Sequence, residues 1–362
     1  MTTSTETPTL AQLTTLRVGG PVGRYVETSD EASLLAEVRA ADAAGEPLLV
    51  LGGGSNLLVS DEGFDGVVVH DVRTGVQTPD ASACAGTTLT VPAGTPWDDV
   101  VLHAVEEHLV GIEALSGIPG STGATPVQNV GAYGQDVAQS IATVRAWDRG
   151  RGRVRTFPLA ELGFGYRTSM LKRSMRVDPA DELSPWFPTP RYVVLDVTFQ
   201  LRPGDLSAPI AYGELAAALD VAVGDRVPLA DLRTAVLGLR AGKGMLLDPD
   251  DPDTSSAGSF FTNPVLSRSD ATLLPEDAPR YPSGDGDVKL SAAWLIEQAG
   301  FGKGFGLPGP AALSTKHTLA LTNRGGSTAS DLVALAREVR DGVRERFGVT
   351  LEPEPVLVGV AL

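Results

Sequence analysis

Apolar residues recur along this chain in two rhythms, a helical one and the short continuous or alternating runs of strands, and their interleaving predicts an α+β protein. Ser29-Asp-Glu, followed by Leu34, Leu35 and Val38, predicts a capped amphipathic helix that ends near Gly45. That helix delivers the chain to Pro47-Leu-Leu-Val-Leu51, which reads as a buried strand, and Gly66-Val-Val-Val-His70 and Leu89-Thr-Val-Pro92 read as further short strands. Pro96-Trp-Asp-Asp opens a helix that carries Val100, Val101, Ala104, Val105 and Leu109 at helical spacing, with Gly111 past its end. The run 191–201 predicts the best strand of the chain, ended by Arg202-Pro-Gly-Asp, and 230–240 a helix with Leu232, Val236 and Leu239 on one face. Between Leu201 and Pro209 the chain reads as a mobile approach to a closing loop. Asp248-Pro-Asp-Asp-Pro-Asp253 reads as a solvated acidic loop and a boundary. Beyond it, a helix at 291–298, a strand at 319–321 and a long helix at 328–347 predict a smaller C-terminal α+β domain.

Two glycine-dense segments interrupt these rhythms. Gly52-Gly-Gly-Ser-Asn56 directly follows the buried strand, and Gly117-Ile-Pro-Gly-Ser-Thr-Gly-Ala-Thr-Pro-Val-Gln-Asn-Val-Gly-Ala-Tyr-Gly134 follows the Pro96 helix. Glycine permits positive φ and lets main-chain N–H groups approach phosphate oxygens, so two such loops point to a dinucleotide. Neither carries the Gly-Lys-Ser/Thr ending of a P-loop, and Gly52-Gly53-Gly54 is not the G-x-G-x-x-G of a Rossmann crossover.

Composition then narrows the field. The 362 residues suggest two or three domains, and 42% hydrophobic with 20% charged residues describe a globular chain. A formal charge of −16 argues against a nucleic-acid partner, and no apolar run is long enough for a membrane helix. The absence of a basic n-region and apolar core at the N-terminus, with Cys84 the single cysteine, leads us to expect a cytoplasmic protein without disulfides. His103 and His108 stand five apart on the predicted helix and share no face, so they read as surface histidines, and no metal centre is expected. Gly-x-Ser-x-Gly is absent; Ser259, between Gly258 and two phenylalanines, reads instead as a proton donor in a redox site.

Taken together these segments resemble the UDP-N-acetylenolpyruvoylglucosamine reductase (MurB) family, in its subgroup with a tyrosine loop. The resemblance runs essentially end to end. It rests on Gly52-Gly-Gly-Ser-Asn-Leu57, Gly117-Ile-Pro-Gly-Ser-Thr-Gly-Ala124 with Gln128-Asn129 and Gly131-Ala-Tyr-Gly134, Gly165-Tyr-Arg167, Gly258-Ser-Phe-Phe261 with Asn263-Pro264, and Leu351-Glu-Pro-Glu354. It implies an α+β fold with an FAD-binding unit of the vanillyl-alcohol-oxidase (PCMH) type in two subdomains, 1–75 and 76–245, and a substrate-binding domain at 246–350. The C-terminal strand 351–362 would return to the first subdomain. The activity implied is NADPH-dependent reduction of an enolpyruvyl ether on a UDP-sugar, in peptidoglycan precursor synthesis, by noncovalent FAD. No obligate protein partner is implied.

For the cofactor, the resemblance assigns Gly52, Gly53, Gly54, Ser55, Asn56 and Leu57, then Gly117, Pro119, Gly120, Ser121, Gly123 and Ala124, then Gln128, Asn129, Gly131, Ala132 and Gly134. It assigns Arg167 and Glu354 to carboxylate and enolate stabilisation and Ser259 to protonation. Tyr212, Arg240, Lys243, Asn263, Tyr281 and Lys303 match substrate contacts. Two positions depart from the family: Thr262 stands where a cation is common, and Pro355-Val356 follows Glu354 where Val-Arg is usual, which removes one N–H donor from that strand. A different flavin oxidase of the same fold and a non-catalytic nucleotide-binding module remain alternatives at this point.

Overall fold

A computed structural model describes residues 7–82, 86–175 and 186–362; Cys84 lies outside them. The chain divides into two compact units, one made of Val22–Gly54 and Asp65–Gly242, the other of Pro8–Pro21, Ser55–Phe64 and Lys243–Leu362.

In the first unit the Glu31–Ala44 helix begins at Asp30, whose carboxylate accepts from Ser33 N, and ends at left-handed Gly45. Its buried Leu34, Val38 and Ala41 pack with Leu48, Val67, Val69, Trp147, Val193 and Leu195. Strand Leu48–Leu51 runs parallel to the strand Phe64–Asp71, which lies between it and Val22–Thr28. A larger antiparallel sheet follows the order Arg153–Pro158, Ile141–Asp148, Tyr192–Pro203, Gly86–Pro92, Gln77–Ser82. Helix Trp97–Glu106 packs on it through fully buried Trp97, whose ring lies tilted against Phe199 at 5.5 Å between ring centres.

That helix is shorter than its apolar spacing predicts. It stops at Glu106, His108 turns left-handed with φ 55°, and Leu109–Val110 becomes a strand paired with Arg202–Pro203. Leu109 therefore belongs to the sheet. His108 leaves the helix that keeps His103, and its Nδ1 meets Asp205 Oδ1 at 2.9 Å on the surface. The stretch after Leu201 is stitched down: Ser207 N donates to Val227 O at 2.8 Å and Ala208 N to Glu113 Oε1 at 2.7 Å. The expectation of a loose approach there is corrected by those bonds.

The second unit is built around helix Ala329–Phe347, which a Thr328/Asp331 capping box opens and left-handed Gly348 closes. Leu332, Leu335, Ala336, Val339 and Val343 on its buried face join Leu16, Leu58, Phe260, Phe261, Leu295, Leu313 and Leu321 in one core. Asp61 accepts from the N–H groups of Ala329 at 2.6 Å and Ser330 at 3.0 Å, tying the Ser55–Phe64 segment to the helix start. Strand Leu57–Val59 pairs in parallel with Val356–Val358. The strand expected at 319–321 lies at Leu321–Asn323, paired with Ala311–Leu313. The acidic run is not wholly solvated: Asp253 is 3% exposed and accepts from Thr315 N and Oγ1 and from Arg324 Nη1. Among the described residues no helix is long and apolar enough to cross a membrane.

Candidate active site

In the first unit both glycine runs are bare because something lies against them. A Cβ on Gly52 would stand 1.9 Å from Ser121 Oγ, and one on Gly53 2.7 Å from Gly120 Cα. The strand-end run and the long loop therefore pack closely on each other, Gly53 against the Gly120 main chain and Gly52 against the Ser121 side chain. Gly123 is equally enforced, since its Cβ would meet Ala93 Cβ at 2.5 Å. The long loop is tied to the start of helix Trp97–Glu106 by Trp97 N donating to Gly120 O at 3.0 Å and Thr122 N to Thr95 O at 2.8 Å.

Asp98 and Arg240 hold the entry to the same loop. Asp98 Oδ1 accepts from Gly117 N at 2.6 Å while both carboxylate oxygens take the Arg233 guanidinium at 2.7 Å. Burial alone would raise the Asp98 carboxyl, but Arg233, the Gly117 N–H and the Arg240 charge together bring it below its ordinary value. Arg240, only 7% exposed, donates Nε to Gly117 O at 3.1 Å. Its burial pulls the guanidinium below its ordinary value against the opposing effects of Tyr133 and Asp98. Asp98 and Arg233 are site-supporting residues that the sequence reading missed; the only local signal was an acid in a helix first turn.

The second half of the loop surrounds Arg167. Its Nη2 donates to Gly131 O at 2.7 Å and its Nη1 to Asn129 O at 3.4 Å, while Asn129 Nδ2 donates back to Gly165 O at 2.9 Å. Asn129, Tyr133 and Arg167 are all left-handed, with φ 49°, 49° and 53°. Gln128 Nε2 is buried with no hydrogen-bond partner among the described residues. A buried donor of this kind, within the long glycine loop, fits FAD, which is rich in acceptor oxygens and nitrogens. Ala132 pairs with Gln135 at the loop's tip, and Gly134 there has φ 86°. Tyr212 is 45% exposed and meets Tyr133 edge-on at 5.7 Å.

In the second unit, left-handed Gly258 turns the chain into Ser259, and Phe260 and Phe261 then plunge into the core, each 1% exposed and edge-to-face at 5.1 Å. Phe260 N donates to Leu319 O, Phe260 O accepts from Glu354 N at 2.8 Å, and Thr262 N donates to Glu352 O at 3.0 Å. Glu354 is thus registered opposite Phe260, the residue that follows Ser259. Asn56 secures the same strand, its Nδ2 donating to Glu354 O at 3.4 Å and its carbonyl accepting from Val356 N at 3.0 Å. Because the N–H groups used are those of Glu354 and Val356, Pro355 leaves this registration intact. Asn263 Oδ1 accepts from Ala292 N at 2.9 Å, Tyr281 lies exposed on strand Arg280–Pro282, and Lys303 is exposed on a turn. Lys243 opens the second unit's long C-terminal part.

A model for UDP-N-acetylenolpyruvoylglucosamine reductase, C-terminal domain, matches residues 250–358, and one for an FAD binding domain matches 22–157. The UDP-N-acetylenolpyruvoylglucosamine reductase of Thermobifida fusca is 53% identical over 98% of this chain and 97% of its own. That of Nocardia farcinica is 56% identical over 98% and 89%. The crystal structure of UDP-N-acetylenolpyruvylglucosamine reductase (MurB) from Thermus caldophilus superposes with a TM-score of 0.61 at 26% identity, covering 97% of both chains. With glycine cradle, FAD-binding domain and C-terminal domain all in place, the chain belongs to the UDP-N-acetylenolpyruvoylglucosamine reductase family.

Proposed function

We propose that this protein reduces the enolpyruvyl ether of UDP-N-acetylglucosamine enolpyruvate to UDP-N-acetylmuramate with NADPH, in the cytoplasm, as a step of peptidoglycan precursor synthesis. In this reading residues 1–75 and 76–245 serve the cofactor, with 351–362 returning to the first part, and 246–350 serve the substrate. FAD bound without a covalent link would carry hydride from NADPH to the vinyl carbon. The two glycine runs, with Ser55, Asn56 and Leu57 continuing the first, would hold it.

The observation that carries the reading is the Glu354 N to Phe260 O bond, which registers Glu354 opposite the residue that follows Ser259. As hydride arrives, negative charge grows on the adjacent carbon and its carboxylate. Arg167 supplies a fixed cation for that charge, its guanidinium already tied to the Asn129 and Gly131 carbonyls, and Glu354, held by its main-chain bond to Phe260, is assigned to the same reacting end. Ser259 then delivers the proton that completes the saturated lactyl ether. Arg240, Lys243 and Lys303 provide local positive charge for the diphosphate against the overall negative field, and Tyr212, Tyr281 and Asn263 contact the UDP-sugar.

Mixing the purified protein with NADPH tests this directly. NADPH should bleach the flavin band, and the enolpyruvyl substrate should restore it with stoichiometric formation of the lactyl product. Restoration by oxygen alone, with the substrate inert, would replace the reading with that of another flavin oxidase. Acid precipitation should leave a colourless pellet and a yellow supernatant.

A further inference from the structure

The geometry points to Lys172 as a positioning residue that sets the direction of the Gln128 amide, so that its N–H group is presented to an acceptor atom of the flavin ring. The inference rests on the FAD reading above for the identity of the acceptor. Lys172 lies on the four-residue helix Met170–Arg173, where fully buried Ser169 is the N-cap. Ser169 Oγ accepts from Lys172 N at 3.1 Å and donates to Val127 O at 2.8 Å, which pins this short helix to Thr125–Gln128. From that anchor Lys172 Nζ donates to Gln128 Oε1 at 2.7 Å and to Arg167 O at 3.4 Å.

An ammonium group has donors only, so the amide atom that faces Lys172 must be the oxygen. The nitrogen is thereby turned the other way. Gln128 is 8% exposed, and its Nε2 has no hydrogen-bond partner among the described residues. Buried donors are seldom left so, and here the missing acceptor would come with the cofactor. Lys172 also grips the main chain of left-handed Arg167, whose guanidinium is bound to the Asn129 and Gly131 carbonyls of the same loop. Gln128 and the cation assigned to the reacting end of the substrate therefore share one anchor. On the FAD reading, that common anchor favours an acceptor on the flavin ring over one on the diphosphate.

Two variants separate positioning from scaffolding. Lys172→Met removes the anchor; Gln128→Glu keeps an oxygen for Lys172 but puts a second acceptor where the N–H stood. The readouts are FAD dissociation and the flavin reduction potential measured by dye equilibration. Both variants should release FAD about tenfold faster and lose about tenfold in preference for reduced over oxidised flavin, about 30 mV for a two-electron couple. Lys172→Arg, which still donates, should recover part of the shift. A wild-type potential in Gln128→Glu, whatever happens to Lys172→Met, would mean that no donor faces the ring, and the inference falls. A lowered melting temperature in Lys172→Met with an unchanged potential would also overturn it, leaving Lys172 as scaffold. Wild-type protein that takes up no FAD would instead remove the cofactor reading itself.

Discussion

Around Arg167 the backbone enters the left-handed region at Asn129, Tyr133 and Arg167 itself, whereas across 256–263 and 352–358 only Gly258 does so. A side chain in that region costs about 1–2 kcal/mol, so the first arrangement persists only because other bonds offset it. Those bonds run from side chains to carbonyls: Arg167 to Gly131, Asn129 to Gly165, Lys172 to Gln128. Around Ser259 the work is done by main-chain bonds and by two buried phenylalanines. The difference teaches how each region should respond to mutation. Near Arg167 a side-chain change moves architecture and chemistry together; near Ser259 the architecture survives and the change reads chemistry alone.

Ser259→Ala is the strongest way to break this contrast. The main-chain bonds of Phe260 and Thr262 do not involve the Ser259 hydroxyl, so folding and FAD content should be those of the wild type. Flavin reduction by NADPH should also be near normal. Reoxidation by the enolpyruvyl substrate should fall roughly a hundred- to ten-thousand-fold, the range for removing a positioned acid. Stopped-flow absorbance separates the two steps, and wild-type reoxidation would leave Ser259 a turn residue.

Asp253 tests the exception in the second unit, a place where a side chain anchors the approach to the serine. Burial raises its carboxyl, yet bonds from Thr315 and the Arg324 charge more than offset that and hold it below the ordinary range. A depressed carboxyl stabilises the folded state above its unfolded value, about 3.9, and loses that contribution as pH falls through the folded value. Asp253→Asn should therefore cost about 3 kcal/mol at neutral pH by leaving Arg324 without its counter-charge. The difference between variant and wild type should shrink below about pH 4, as acid unfolding curves would record. A pH-independent difference would mean that shape, not charge, matters there.

Asp253 also marks the limit of what the sequence discloses. Its partners Thr315 and Arg324 lie 62 and 71 residues away, so nothing local separates it from its solvated neighbours. Leu109 fails for the same reason: helical spacing is local, but its pairing with Pro203 is not. The Glu31–Ala44 and Ala329–Phe347 helices were legible because cap and apolar stripe sit within the element. The glycine runs were legible as bare backbone, though not that Gly52 faces Ser121. Lys172 left no signal and Asp98 only that of an acid in a helix first turn, since each acts on a loop that only folding brings to it.

Tyr212 sharpens the contrast from the first unit's side. Its ring meets Tyr133 edge-on at 5.7 Å, so it leans on the left-handed loop while staying 45% exposed. Tyr212→Ala should weaken UDP-sugar binding about tenfold, as loss of an aromatic anchor does, with flavin reduction by NADPH little changed. Tyr212→Phe keeps the ring contact and should recover most of the affinity. Titration of the substrate against flavin fluorescence measures both; equal losses in binding and in flavin reduction would show that the tyrosine supports the loop itself.

The smallest effect is expected at Pro355, where the family pattern is broken. In a strand a proline ordinarily forfeits one ladder bond, but here the N–H groups that fasten the segment belong to Glu354, bound to Phe260 O, and Val356, bound to Asn56 O. Replacing Pro355 by Val restores a donor that this registration does not use. The remaining effect is on the unfolded chain, which gains freedom when the ring is removed, so the variant should be less stable by about 0.4–1 kcal/mol. Turnover should stay within about twofold of wild type, because Glu354 and Ser259 keep their positions. Thermal unfolding and steady-state rates decide the matter together. A large loss of turnover at nearly unchanged stability would show that the proline itself aims Glu354, and main-chain registration would no longer suffice to explain how the second unit holds its chemistry.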